Sequence, residues 1–199
     1  MKFFTMLVCS TFLMLIASTI SVAEELSQPE QLGKSIFFDN NLSISQNQSC
    51  AACHGPGVGW TGPDEVINTG GSVYEGSIAG RFGGRKPPSS AYATQSPVFH
   101  VDKKGLFVGG NFWDGRATGE KLGNPAADQA QGPFLNPVEQ ALPDSACVVY
   151  RVCNPAVPNN YPVSFEDVWG DEACDISWPA DVDTVCATEG ASVALDVAD

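Results

Sequence analysis

Two cysteines three residues apart, followed at once by a histidine, stand at Cys50-Ala-Ala-Cys53-His54. Two thiols on one helical turn can reach the two vinyl groups of a single porphyrin, and the adjacent imidazole then meets the iron from one face. The same spacing also serves a dithiol redox pair or a local disulfide. A thioredoxin-type pair belongs in a βαβ setting, and none is legible around it. The motif therefore reads as the attachment site of a c-type haem, with Cys50 and Cys53 as the covalent anchors and His54 as the iron ligand.

The opposite face of the iron separates electron carriers from catalysts. Carriers commonly fill it with Met or His; catalysts leave it open or easily opened. The three methionines, Met1, Met6 and Met14, all precede residue 24, and the one further histidine is His100. The sixth position is thus open, water-bound or taken by His100, with Tyr74 and Tyr92 as the other candidate donors. An open iron favours chemistry over pure electron transfer. A cytochrome c that only carries electrons, with His100 as sixth ligand, is the non-enzymatic rival.

The elements around the motif are short. Ser27 followed by Pro29 and Glu30 forms a helix start, and Leu32, Ile36 and Phe37 recur at helical spacing until Asp39-Asn40-Asn41 stops the run. Residues 55–90 are rich in Gly, Pro and Ser and read as loop. Lys103 to Asn111 is a second, glycine-bearing loop. Pro125, Pro133 and Pro137 break Ala117–Leu142 into short helices and turns. Cys147–Cys153 suits one more short helix, and no strand alternation stands out. The expected fold is mainly α: a cytochrome c-like haem domain with long ordered loops that pack on a bound prosthetic group.

Composition bounds the setting. Lys2 and a charge-free run to Ile20, ending in Ser21-Val22-Ala23, read as a signal peptide over 1–23 and hence as export to the periplasm. Acids outnumber bases 23 to 10, which excludes a nucleic-acid partner and suits a basic soluble one. Cys147, Cys153, Cys174 and Cys186 are compatible with two disulfides in any of three pairings. The division expected is 24–142 for the haem domain and 143–199 for an acidic, cysteine-containing segment that leads towards a second haem domain of a longer protein.

Three further stretches line up with the motif. Leu32-Gly-Lys-Ser-Ile-Phe-Phe-Asp39 precedes it; Phe112-Trp-Asp-Gly-Arg-Ala117 and Gln131-Gly-Pro-Phe-Leu-Asn-Pro-Val-Glu139 follow. Together these resemble the N-terminal haem domain of bacterial di-haem cytochrome c peroxidases, a superfamily that includes the methylamine-dehydrogenase maturation enzyme. The resemblance implies that hydrogen peroxide reacts at this haem. It implies Glu139 as acid and base, Gln129 in the distal pocket, and Trp113 on the electron path between two haems. It also implies a small c-type cytochrome or cupredoxin as electron donor, and it is compatible with a homodimer. Arg116 is the first choice among the central cations to pair with a haem propionate. The enzymatic rival is a maturation-type oxidase that acts on a protein substrate.

Three departures limit the resemblance. Many relatives carry a distal histidine after the haem motif, but Gly55–Arg85 contains none. Where the family places an Asn that binds an interdomain calcium, Arg85-Lys86-Pro87-Pro88 has Lys86, which argues against calcium. A second C-x-x-C-H, expected for a second haem, is absent from the sequence.

Overall fold

A computed structural model describes residues 25–154 and 161–194. The expected signal segment lies outside the described residues.

Helices and loops dominate. Helix α1 spans Gln28–Phe38. It starts where Glu30 reaches back to accept the Ser27 N–H at 2.8 Å, and Asp39 ends it by accepting the Asn41 N–H at 2.8 Å. Helix α2 is the single turn Cys50–Cys53, and α3 is Glu65–Thr69. Helices α4 (Pro125–Ala130) and α5 (Gly132–Leu135) are separated at Gln131, with a proline in the first turn of each. Helices α6 (Ser145–Cys153), α7 (Tyr161–Trp169) and α8 (Val182–Cys186) follow.

One small hairpin departs from the strandless expectation. Strands β1 (His100–Val101) and β2 (Phe107–Val108) pair antiparallel, His100 opposite Val108. Two-residue strands are too short for alternation to show in a sequence. The turn chemistry was the signal: Asp102 accepts the N–H groups of Lys104 and Leu106 at 2.8 and 2.9 Å, and Gly105 supplies φ +78°.

The buried apolar side chains form two clusters. Leu32, Leu42, Val152 and Tyr161 join α1 to α6 and α7. Leu142, Cys147, Val182 and Cys186 join α6 to α8. Between residues 43 and 141 only Phe134 touches either cluster. Among the described residues, the long central loops thus have no buried apolar cluster of their own.

The acidic segment after Leu142 is docked on the rest. Cys147 pairs with Cys186 and Cys153 with Cys174, a nested arrangement. Arg151, buried, donates to the carbonyls of Asn41, Ser43, Ile44 and Cys186. Burial pulls its pKa below the usual arginine value. Arg81, from the central loops, pairs bidentately with Glu189 at 2.5 and 2.9 Å.

Candidate functional site

The haem motif occupies one turn and the tight loop behind it. His54 follows α2 directly, its N–H donating to the Cys50 carbonyl at 2.9 Å. Gly55 N–H donates to Thr61 O, and Trp60 N–H to Gly55 O, at 2.8 and 2.9 Å. That loop returns the Trp60 carbonyl to within 3.2 Å of His54 Nδ1. With Nδ1–H as donor, Nε2 keeps its lone pair for a metal, the usual arrangement of a ligating imidazole. Phe37 and Phe38 pack around Trp60 with centroids 5.6 and 6.4 Å away.

Cys50 and Cys53 are free thiols. Burial pushes both up to about 11, and the negative charge of Glu139 adds to the shift in each. Glu139 therefore lies within electrostatic reach of the haem-attachment turn. One aspect of the N-P-x-E stretch now has a physical reason. Asn136 Oδ1 accepts the Val138 N–H at 3.2 Å, and Asn136 Nδ2 donates to Glu139 Oε1 at 2.9 Å. One amide shapes the turn and aims the carboxyl. Burial raises the Glu139 pKa above the ordinary glutamate value, against the opposing pull of the Asn136 bond and the Arg116 charge. A desolvated carboxyl is the type of group that moves protons.

The remaining expected residues fall as follows. Trp113 is 64% exposed, not core, and its indole N–H donates to Lys86 O at 3.2 Å. Arg116 bonds Asp114 at 2.8 and 2.9 Å and lies 3.7 Å over the Phe112 ring. Gln129 is half-buried near the end of α4, which leads into the α5 turn that delivers Glu139. His100 stands exposed on β1 with Nδ1 2.8 Å from Val98 O. Tyr74 is buried, and its phenol oxygen accepts from Asp64 N at 2.8 Å and donates to Asn68 Oδ1 at 3.2 Å. It braces the loop after the haem motif. Tyr92 is exposed.

Three residues of the site region have no sequence signature. Gln48 donates to Glu75 O at 2.8 Å and lies 3.9 Å from Cys53 Sγ, while its buried Oε1 has no protein partner. Both amide atoms of buried Gln140 also lack a protein partner. Ser77, 3% exposed, sends its N–H to Glu139 O at 2.7 Å. Buried polar groups are rarely left orphaned in a complete structure. Orphaned amides, two free thiols on one turn, a pre-oriented imidazole and central loops without a core all fit a covalently bound haem.

Comparison with known proteins agrees. A family model for the di-haem cytochrome c peroxidases matches residues 27–189. The chain is 40% identical over 144 residues to the methylamine utilization protein MauG of Paracoccus denitrificans, covering 72% of this chain and 35% of that protein. It is 36% identical over 112 residues to the cytochrome c551 peroxidase of Pseudomonas aeruginosa, covering 56% of this chain and 25% of that one. The crystal structure of the diheme peroxidase BthA from Burkholderia thailandensis matches with a TM-score of 0.61 at 27% identity, over 77% of this chain and 38% of that one. The chain thus spans about a third or less of the curated relatives it matches. It belongs to the di-haem cytochrome c peroxidase family.

Proposed function

We propose that this chain carries the peroxidatic haem of an exported peroxidase that reduces hydrogen peroxide to water, taking electrons from a small periplasmic redox protein. The observation that carries the reading is Glu139, desolvated, clamped by Asn136 and electrostatically coupled to the two haem-anchoring thiols. The haem, once attached, supplies the redox-active iron. Cys50 and Cys53 would hold it through two thioethers, and His54 Nε2 would be free to bind its iron. Glu139 would accept a proton from one peroxide oxygen and return it to the other. That transfer turns a poor leaving group into water, and two electrons and two protons complete the reduction to two waters. Acid–base help of this kind is worth roughly 10²–10⁴ in rate. Gln129 orients the peroxide, and Trp113 at the surface passes electrons inward. The motif at Cys50 accounts for one haem; a second haem needs a second motif. Lys86, in place of the family's Asn, removes one side-chain ligand for calcium.

The 40% identity to MauG favours one second reading: oxidation of a protein substrate through the same site, with Trp113 on the exposed face. Glu139→Gln tests the main reading. A peroxidase loses about 10²-fold or more in kcat with its haem spectrum intact, whereas an electron carrier keeps its transfer rate. Peroxide turnover with a small cytochrome, against turnover with protein substrate alone, separates the two enzymatic readings.

A further inference from the structure

Glu139 owes its position to residues well outside its own turn. Ser77 N–H donates to the Glu139 carbonyl at 2.7 Å, and Ile44 N–H to the next carbonyl, Gln140 O, at 2.8 Å. The Ser77 hydroxyl is saturated: it donates to Asn47 Oδ1 at 2.7 Å and accepts the Ser45 N–H at 3.1 Å. Asn47 returns its amide to the Ser77 carbonyl at 3.1 Å. The Ser43 hydroxyl pins the same loop by accepting the N–H groups of Asn47 and Gln48 at 3.1 and 3.0 Å. Gln48 then crosses to Glu75 and approaches Cys53. One polar seam therefore runs from the backbone of Glu139 to the sulfur of a haem anchor.

We infer that Ser77, with Asn47, is a positioning residue for Glu139, fixing where the carboxyl stands relative to the Cys50–Cys53 turn. The physical reason is the two-way use of one buried hydroxyl. Deleting it removes the partner of the Ser45 N–H and of Asn47 Oδ1, leaving the Asn47 amide N–H on the Ser77 carbonyl as the one remaining link of this pair, so the loop bearing the Ser77 N–H loosens its register. A misplacement of about 1 Å in a catalytic group can cost about 10²-fold in rate. Arg116, Cys50 and Cys53 are the charged or titratable groups coupled to Glu139. The seam acts through the backbone.

This inference rests on the Glu139 reading above, so the test includes Glu139→Gln alone. The haem-loaded full-length protein is compared with Ser77→Ala, Asn47→Ala and each of these combined with Glu139→Gln. Two rates are read: peroxide turnover, and association of hydrogen cyanide with the ferric protein, which must surrender a proton on binding. Ser77→Ala is expected to lower kcat and the cyanide rate about tenfold, with KM within about twofold. Covalent haem content and the Soret band stay unchanged, and nothing further is lost on top of Glu139→Gln. An equal loss in the Glu139→Gln background, or a change in KM alone, overturns the inference. Should Ser77→Ala fail to accumulate, Asn47→Ala removes its partner from an exposed position and is judged identically. Normal rates in Asn47→Ala then overturn the inference. Unchanged rates in Glu139→Gln itself defeat the Glu139 reading, and this inference with it.

Discussion

Trp113 and Thr61 are fastened to consecutive carbonyls: the indole N–H to Lys86 O at 3.2 Å and the hydroxyl to Pro87 O at 2.6 Å. Thr61 adjoins Trp60, whose carbonyl holds His54. The Arg85–Pro88 stretch thus ties an exposed aromatic to the loop that orients His54. Trp113→Phe should leave stability within about 0.5 kcal/mol, because the ring is exposed. Turnover with a protein electron donor should fall, while reaction of the reduced enzyme with peroxide proceeds at its normal rate. Stopped-flow absorbance resolves the two steps.

Gly76 faces the Glu139 turn at a distance that admits no side chain. A Cβ there would lie 2.5 Å from Val138 O and 2.9 Å from Glu139 O, both backbone atoms. Gly76→Ala should therefore displace Glu139 and cost about 1–3 kcal/mol of stability. The loss of peroxide turnover should exceed what the fraction unfolded explains. Chemical denaturation and kcat on the same preparations check this.

The raised pKa of Glu139 fixes the sign of two pH effects. Folding keeps the proton on this group to a higher pH than the unfolded chain does. The stability it contributes is full below the ordinary glutamate range and lost as pH rises through the folded pKa. Glu139→Gln should accordingly raise the melting temperature at pH 7.5 and leave it unchanged near pH 4. The acid limb of kcat in the native protein should lie above the ordinary glutamate value, since the ionised form accepts the proton. Thermal melts and a kcat profile across pH 4–8 measure both.

The nested disulfides close loops of 39 and 21 residues. Replacing Cys147 and Cys186 together by Ser should cost about 2–5 kcal/mol. The loss should be accompanied by faster hydrogen exchange in α8, whose other apolar anchor is Val182. Denaturation with and without reductant compares the wild type with the variant.

How much of this was legible in the sequence varies with the range of the interaction. Local chemistry was readable: Ser27 and Glu30 announce α1, Cys50 to His54 announces the haem turn, and the prolines announce short α4 and α5. Contacts distant along the chain were not. Arg151 stands in an acidic stretch with nothing in the local sequence to mark it, yet it is a buried clasp for four carbonyls. The cysteines allowed three pairings, and only the packing of α6 on α8 selects one. Ser77 and Asn47 are ordinary loop residues until the fold places them beneath Glu139. Trp113 was expected on an electron path, and nothing in Phe-Trp-Asp-Gly-Arg indicates how far the indole stands in water.

The desolvation of the half-buried Cys50 and Cys53 has one more consequence. A thiol pushed up to about 11 is ionised at neutral pH in only about one molecule in 10⁴. Disulfide exchange proceeds through the thiolate, so both sulfurs are slow to oxidise and slow to attack other bonds. The chain carries six cysteines beyond residue 23, and in an oxidising compartment they must be sorted. Four are spent on bridges within the C-terminal segment. The two free thiols are held protonated by their desolvated setting.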